Sequence, residues 1–301
     1  MPAHLHSSTL YRSGVVTISD VCCRPHDSRC GAEERSSVHE IAFPRRGLFV
    51  KHVAGRAITA DANCTLFFNA DEPYRISHPV DGGDDCTVYS FQTQALTDAL
   101  SRFEPAAADR PDRPFSLSHG PCEPRVCLAH HRLRGRLRSG MHDPLATDEA
   151  AAALLEASLA SAFGVRGMRP ASGTVRASTE RAHRDWADAA RQFATRQYTR
   201  RLSLDDFAAA VHCSPFHLAR LFRRVTGLTL HGYVDRLRLR TALERLADNE
   251  KDLTTLAFDL GFGSHSHFST AFRRAFGLSP SEFRRSALRS DLREMSTKVK
   301  A

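Results

Sequence analysis

The sequence predicts an α+β protein with two domains, an antiparallel β domain at the amino end and an all-α domain at the carboxyl end. Short β-branched and aromatic runs, separated by turn residues, occupy residues 10–118. A segment with helical periodicity occurs twice between residues 214 and 283. The 301 residues are 42% hydrophobic and 25% charged, which is ordinary for a globular chain of about two domains.

Seven runs in the amino-terminal part are predicted to be strands. Turn residues separate them at intervals of roughly 8–12 residues, which indicates an antiparallel sandwich or barrel. The runs are GVVTISDV, SSVHEIAFP, GLFVKHVAG, RAITADAN, CTLFFNADE, YRISHP and DCTVYSFQ. Gly82 and Gly83 allow a turn with positive φ between the last two, and this turn is either a ligand-binding loop or a plain hairpin.

Two helical stretches follow, Glu123–Gly140 and Asp148–Phe163. The second carries Leu154, Leu155 and Leu159 beside a face of alanines, and an apolar face of this kind needs burial. We expect a second copy of the chain to cover it, which makes this a dimerisation segment; the alternative is that the helices cap the β domain. Residues 164–182 lack periodicity and are predicted to be the interdomain linker.

The carboxyl-terminal part contains a duplication, because Ser214–Tyr233 aligns with Ser264–Phe283. Apolar side chains recur at positions i, i+3, i+4 and i+7 in both copies, which predicts two helices with one buried face each. Ser214 and Ser264 are suitable N-caps. Each copy ends in a glycine, a natural helix stop, and the glycines are Gly227 and Gly277.

Each repeated helix is preceded by a shorter one, Leu204–Val211 in the first copy and Leu253–Leu260 in the second. A short helix, a tight turn and a second helix make a helix-turn-helix unit. Gly261 suits the turn of the second copy, and His212 stands at that place in the first. Tyr233–Glu250 is predicted to be a helix between the units, with its arginines pointing outward: Arg236, Arg238, Arg240 and Arg245.

The charge of the chain is unevenly distributed. Residues 171–301 hold 23 Lys and Arg against 14 Asp and Glu, a net charge of +9, whereas residues 1–170 have a net charge of −1. This asymmetry favours a polyanionic partner for the carboxyl-terminal part. The alternative is that the chain is arginine-rich in composition and that these charges only lie on solvated helix faces. Two recognition helices about 34 Å apart would enter successive major grooves of a duplex.

The stretches SPFHLARLFRRVTGLTLHGY and AFDLGFGSHSHFSTAFRRAFGLSPSEFRR resemble the DNA-binding domain of the AraC/XylS family of transcription regulators. The resemblance covers residues 185–285. It implies an all-α domain with two homeodomain-like helix-turn-helix units, binding to double-stranded DNA, and activation through contact with RNA polymerase. It implies a regulator and not an enzyme.

The resemblance also implies roles for individual residues. Arg220 is the strongest candidate for reading a base, because arginine can donate two hydrogen bonds to guanine. Family members often have a long polar residue where Ala219 and Thr270 stand, so the second helix is expected to read sequence weakly. The expected base contacts are Phe216, Ala219, Arg220, His265, Ser266, Ser269 and Thr270. The expected phosphate contacts are His217, Arg223, Arg224, His267, Arg273 and Arg274.

The segment from HEIAFPRRG to DDCTVYSF, with SHPVDGGDDC within it, resembles the cupin-like sensor domain of one AraC subgroup. This implies a cupin-like β-barrel or jelly roll that binds an unknown small-molecule effector. His78, Asp81 and Cys86, around the glycine turn, are the candidate effector-binding residues. The predicted domains are residues 10–163 for effector binding and dimerisation and 183–286 for DNA binding, joined by the 164–182 linker.

The chain shows no recognisable cofactor or metal motif. The eight cysteines include no CxxC pair, and the HxH pattern of metal-dependent cupins is absent. No cofactor and no metal are therefore predicted. A metal- or thiol-responsive regulator remains an alternative, because thiolates and imidazole suit soft ions, whereas a strand cysteine is more often a small hydrophobic residue. That alternative would draw on Cys22, Cys23, Cys30, His78 and Cys86.

The predicted function is a sequence-specific transcription regulator, acting as a homodimer in the cytoplasm. No signal peptide and no run of about 18 apolar residues is evident, so no membrane partner is expected. The alternatives are a cupin-type enzyme with a DNA-binding tether, a DNA-repair alkyl acceptor, and a regulator without an effector. The first lacks the metal-ligand pattern, and the second lacks a Pro-Cys-His motif.

Overall fold

Eight strands form an antiparallel sheet in the described amino-terminal residues. The structure is a computed structural model that describes residues 5–25, 29–140, 142–168, 177–248, 250 and 252–285. The strands are β1 (Leu5–Arg12), β2 (Val16–Cys23), β3 (Glu40–Val53), β4 (Arg56–Asp61), β5 (Cys64–Phe68), β6 (Tyr74–Ser77), β7 (Asp84–Phe91) and β8 (His119–Pro121). The antiparallel prediction is confirmed; the cupin-like barrel or jelly roll stays a prediction.

The long strand β3 organises the sheet. Its first half pairs with β7 and β5, and its second half pairs with β4 and β6. A register shift between Pro44 and Arg46 separates the halves, and an irregularity of this kind bends a strand. The two runs that were predicted as separate strands on either side of Arg45 are therefore one strand. β1, which the sequence analysis did not predict, is largely exposed and pairs only with β2 among the described strands.

Side chains alternate along each strand and therefore point to two faces of the sheet. Both faces carry buried residues. Ile41, Phe43 and Tyr89 lie on the face that packs against helices. Ala42 and Cys86 lie on the other face, in a smaller core that the second half of β3 helps to close. We call this smaller core, which contains Ala42, Phe49, Leu66 and Cys86, the inner core.

Nine helices follow in the described residues. α1 (Thr93–Ser101), α2 (Pro124–Arg138) and α3 (Pro144–Met168) pack near the sheet. The remaining helices are α4 (Ala177–Gln197), α5 (Leu204–Val211), α6 (Pro215–Thr226), α7 (Leu230–Ala247), α8 (Leu253–Asp259) and α9 (His265–Phe276). None of them combines the length and the apolar character that a membrane crossing needs in the part of the chain that is described.

The predicted linker, residues 164–182, is helical at both ends. α3 continues to Met168, and α4 begins at Ala177. These helical ends were not expected from composition, since Gly164 and Gly167 are poor helix formers. Residues 169–176 lie outside the described residues. The domain boundaries themselves stay a prediction.

The apolar face of α3 is covered within the chain. Leu154, Leu155 and Leu159 are all buried, in the same core as α1, α2 and the sheet. A dimer was expected because this apolar face would otherwise be exposed. Since the chain itself covers the face, the face does not support a dimer. The alternative, in which α2 and α3 cap the sheet, describes their packing.

Candidate nucleic-acid interface

The two repeated helices, α6 and α9, end in the same way. Gly227 and Gly277 follow them with φ of 77° and 76°, and their amides donate to the carbonyls of Arg223 and Arg273. This left-handed conformation favours glycine because a Cβ is strained there. The predicted helix stops are therefore confirmed in both copies.

The two helices begin differently. Ser264 accepts a hydrogen bond from the amide of His267 at 3.1 Å, as an N-cap should. Ser214 occupies the equivalent position with extended backbone, but its side chain makes no capping bond. Pro215 takes the first helical position instead, where a missing amide hydrogen costs little. Both serines are therefore at the predicted N-cap positions, but only Ser264 makes the side-chain capping bond.

The turns between the paired helices require unusual backbone. His212 ends α5 with φ of 54°, and Gly261 follows α8 with φ of 81°. A Cβ at Gly261 would lie 2.4 Å from the carbonyl oxygen of Thr199, so space as well as conformation requires glycine. His212 adopts the same left-handed region at a steric cost, as the sequence analysis expected.

α6 presents a polar and basic face to solvent. Arg220 and Arg223 are exposed, and Phe216 has 81% of its surface accessible. Ala219 is half-buried. Leu218, Leu221 and Phe222 are buried on the opposite side, as predicted. Two of the three candidate base contacts on this helix, Phe216 and Arg220, are therefore exposed.

Two candidate phosphate contacts on α6 already have neighbours on α4. The ring of His217 lies edge-on to Trp186, with 5.6 Å between centroids. The guanidinium of Arg224 donates to Nδ1 of His183 at 2.6 Å. This packing of α4 against α6 was not predicted from the sequence, because contacts between residues so far apart in the chain leave no local pattern.

α9 presents a smaller and more polar surface. Ser266, Thr270 and His267 are exposed, and so are Arg273 and Arg274. The remaining two candidates are half-buried and lie close together, with 3.5 Å between Oγ of Ser269 and Nε2 of His265. Phe268, Phe272 and Phe276 form the buried side.

The helix α7 does not have the exposed arginine face that was predicted. Arg238 and Arg240 are buried, with 8% and 2% of their surface accessible. Arg238 donates to the carbonyls of Tyr198 and Arg200, and Arg240 donates to the carbonyl of Ala62 at 2.7 Å. The prediction was wrong because helical periodicity shows which residues share a face, whereas burial depends on what packs there.

α7 meets the amino-terminal half through Glu244, which is almost fully buried. Its carboxylate lies 3.1 Å from Nη1 of Arg45 on β3 and 3.3 Å from Nδ1 of His131 on α2. Arg134 lies 3.8 Å from it and also forms a two-pronged pair with Asp20 on β2. Burial lowers the pKa of His131 to about 4, so this ring is neutral at neutral pH.

A second contact joins the halves further along α7. The hydroxyl of Tyr233 donates to the carboxylate of Asp61 on β4, and Arg191 of α4 lies 3.3 Å from the same carboxylate. Asp61 is fully buried. These contacts and the Glu244 contacts tie α7 to the sheet along most of its length.

The candidate effector residues separate in space. His78 and Cys86 both contact the buried carboxylate of Asp84, whereas Asp81 is exposed in the turn. Nε2 of His78 lies 2.7 Å from Oδ1 of Asp84, and the thiol of Cys86 donates to Oδ2 at 3.1 Å. Cys23 lies beside this pair. Only the pairing of β2 with β7 brings Cys23 there, so the sequence did not single it out within this group.

Comparison with known proteins identifies the family to which this chain belongs. A family profile described as a helix-turn-helix domain matches residues 207–286. The regulatory protein SoxS of Escherichia coli K12 is 39% identical over 83 residues, which are 28% of this chain and 78% of SoxS. The chain belongs to the AraC/XylS family. The family expectation from the two repeated stretches is thereby confirmed.

Other similarities of this AraC/XylS-family chain are more limited. The bifunctional transcriptional activator/DNA repair enzyme AdaA of Bacillus subtilis is 29% identical over 100 residues, 33% of this chain and 47% of AdaA. The chain thus spans less than half the length of the first curated relatives it matches. A single-substitution variant of apo ToxT from Vibrio cholerae aligns with 89% of this chain and 96% of its own, at 13% identity and a TM-score of 0.37.

Proposed function

We propose that this chain is a sequence-specific DNA-binding transcription regulator whose DNA binding is controlled by a small ligand or ion in its amino-terminal half. The observation that carries the proposal is the pair of helices α6 and α9. Each follows a tight turn, ends at a left-handed glycine and exposes a polar, basic face. Two recognition helices in one chain provide two places to read a duplex.

Base reading is assigned mainly to α6. The guanidinium of Arg220 is exposed near the middle of the helix and can donate two hydrogen bonds to guanine. The hydroxyls of Ser266 and Thr270 give α9 shorter and less selective contacts. The arginines at the ends of both helices provide phosphate contacts, which position the protein without specifying sequence.

Activation through contact with RNA polymerase is part of the same proposal, and AdaA, one of the relatives, carries the name of an activator. Because one chain holds both recognition helices, DNA binding of this kind does not require a dimer. A homodimer, like a cytoplasmic location, stays a prediction; analytical ultracentrifugation of the full chain tests the dimer.

The test of DNA reading selects duplexes from a random-sequence library with the full chain. We expect one preferred sequence at moderate salt. Arg220→Ala should weaken binding to it by about 1–3 kcal/mol and relax one base position. Arg56→Ala removes the same charge from the exposed start of β4 and should bind like the wild type.

Two results would count against this function. If the wild type enriches no sequence over random duplex, the chain is not a sequence-specific binder. If the wild type selects a sequence but Arg220→Ala reads it equally well, the assignment of α6 is wrong while the function stands.

Control by a ligand needs a physical path from the amino-terminal half to the recognition helices. α7 offers one, because it lies between the two helix-turn-helix units and its Glu244 is buried against Arg45 on β3. Removing one partner of such a pair leaves an uncompensated buried charge, which is expensive. A ligand that moves β3 would therefore also act on α7, and the DNA affinity would then differ between two states.

A double-mutant cycle tests this path. Glu244→Gln and Arg45→Gln should be non-additive in the free energy of unfolding, by about 0.5–3 kcal/mol. The control cycle uses the exposed pair Arg102 and Glu156, where about 0.2–1 kcal/mol is expected. If the effects in the first cycle are additive, Glu244 and Arg45 are not coupled, and the pair is not part of the path.

A further inference from the structure

Three buried side chains with different donor atoms meet at one end of the inner core. They are Cys23, His78 and Asp84, and their ligand atoms all lie within 4.8 Å of one another. Cys23 is the last residue of β2 and pairs directly with Asp84, the first residue of β7. We call this group the Cys–His–Asp cluster.

The backbone around the cluster is held tightly. Gly83 has φ of 70°, and a Cβ there would lie 1.9 Å from the carbonyl oxygen of Cys23. Arg24 donates from Nη1 to the carbonyls of Cys23 and Asp84, both at 2.9 Å. The ends of β2 and β7 are thereby fixed against each other, so the donor atoms are positioned before any ligand arrives.

We propose that Cys23, His78 and Asp84 bind one transition-metal ion of the Zn²⁺ type. A thiolate, an imidazole and a carboxylate are the three donor types that zinc uses in proteins. Zinc bonds of about 2.0–2.3 Å place tetrahedral ligands roughly 3.3–3.8 Å apart. The cluster reaches that spacing by small side-chain movements, since none of its donor atoms is more than 4.8 Å from another.

Cys86 orients the carboxylate ligand. It lies on the same face of β7 as Asp84, two residues further on, and its thiol donates to Oδ2 at 3.1 Å. Oδ1 is then left to face His78 and the ion. The ion takes the place of the hydrogen between Nε2 of His78 and Oδ1 of Asp84, and the neutral ring then carries its hydrogen on Nδ1. A water molecule completes the fourth position.

Binding must release a proton from Cys23. Burial is the main cause that raises the pKa of this thiol to about 11, with contributions from the nearby charges of Asp84 and Glu34 and from Cys22, while Arg24 opposes them. Only the thiolate is a metal ligand. The displaced proton passes to the buffer, so binding of the ion should weaken as the pH falls.

As an account of which ligand controls the regulator, this inference rests on the proposed function. Metal binding itself does not depend on it. An ion that joins β2 to β7 would fix the position of Asp20 on β2. Asp20 pairs with Arg134, which lies beside Glu244 of α7, so the ion would also fix these contacts.

The experiment uses the full chain, reduced and stripped of metal, with Cys30→Ser as background because Cys30 is exposed. Zn²⁺ is titrated against a chromophoric chelator. We expect one ion per chain, and a loss of affinity of tenfold or more in Cys23→Ser, His78→Gln and Asp84→Asn. Cys64→Ala is the matched control: it removes a buried thiol of the inner core outside the cluster and should bind like the background.

A second readout separates lost binding from lost folding. Zn²⁺ should raise the melting temperature of the background protein and of Cys64→Ala, but not that of the three cluster variants. Co²⁺ in place of Zn²⁺ should show a thiolate charge-transfer band that Cys23→Ser lacks. The proposal is overturned if the background protein binds Zn²⁺ no more tightly than the three cluster variants, or if the Co²⁺ complex has no thiolate band.

DNA binding is measured in parallel on the metal-free and on the Zn²⁺-loaded protein. If the chain selects a DNA sequence but binds no ion at the cluster, this inference fails and the proposed function stands. If the ion binds but no sequence is selected, the site is real and the regulatory account fails.

Discussion

The two helix-turn-helix units are alike in sequence but differ in how they join the rest of the molecule. The first unit has a core of its own with α4 and the start of α7, and it meets the sheet through polar groups such as Tyr233 and Asp61. The second shares one continuous apolar core with the end of α7, α2 and the helix-packed face of the sheet. The first unit is therefore joined to the amino-terminal half mainly by buried polar contacts, and the second mainly by a shared apolar core.

This difference has a consequence for control. Polar contacts at an interface can be exchanged for water, whereas an apolar core that is opened exposes its surface at about 25 cal/mol per Å². A change in the amino-terminal half should thus affect α9 more directly than α6. α6 carries the stronger candidate for base reading and would determine which sequence is bound. α9 would respond to changes in the amino-terminal half.

The largest expected effect comes from the equivalent residues Phe222 and Phe272, which are both fully buried. Replacing either by alanine should cost about 3–5 kcal/mol of stability. Hydrogen exchange should show a difference: Phe272→Ala should also reduce amide protection in α2, whereas Phe222→Ala should affect only α4 to α7. If both variants reduce protection in the same helices, the two units are not joined as described.

A smaller effect is expected at the starts of the two helices. Ser264→Ala removes the hydrogen bond to the amide of His267 and should cost about 1 kcal/mol in the free energy of unfolding by urea. Ser214→Ala is the matched change and should cost less, because that side chain makes no capping bond. Equal costs would mean that Ser214 caps its helix in solution.

The smallest effect concerns the arginines at the helix ends. Arg274→Ala should weaken binding to the preferred and to random duplexes alike. It should also reduce the slope of the logarithm of affinity against the logarithm of salt concentration by the amount expected for about one phosphate contact. Arg224→Ala should change the slope less, since its guanidinium also donates to His183. Binding isotherms at several salt concentrations measure both; a larger change for Arg224 would contradict the structural difference.

Local rules were enough to predict the carboxyl-terminal elements. The buried spacing of Leu218, Leu221 and Phe222 and the glycine stops depend on neighbours within a few residues, so the helices follow from periodicity and capping. The expected base and phosphate contacts lie on these helices, and most of them are exposed. Their contact with DNA stays a prediction.

Predictions failed where distant parts of the chain meet. Periodicity did not show that a carbonyl of the α4–α5 turn accepts a hydrogen bond from Arg238, or that one of the β4–β5 turn accepts a hydrogen bond from Arg240. Composition suggested a linker at 164–182, and α3 and α4 nevertheless extend into its two ends. Leu154 and its neighbours suggested a dimer contact, but other parts of the same chain cover them, and the homodimer stays a prediction.

What the sequence determined by itself is the pair of capped, amphipathic helices and the alternation of the strands, because these depend on backbone geometry and on side-chain period. Tertiary structure alone decided which buried charges face one another. Glu244 meets Arg45 across 199 positions, and Cys23 meets Asp84 across the β2–β7 pairing. Contacts between residues so far apart in the chain leave no local pattern, since they are set by packing and register.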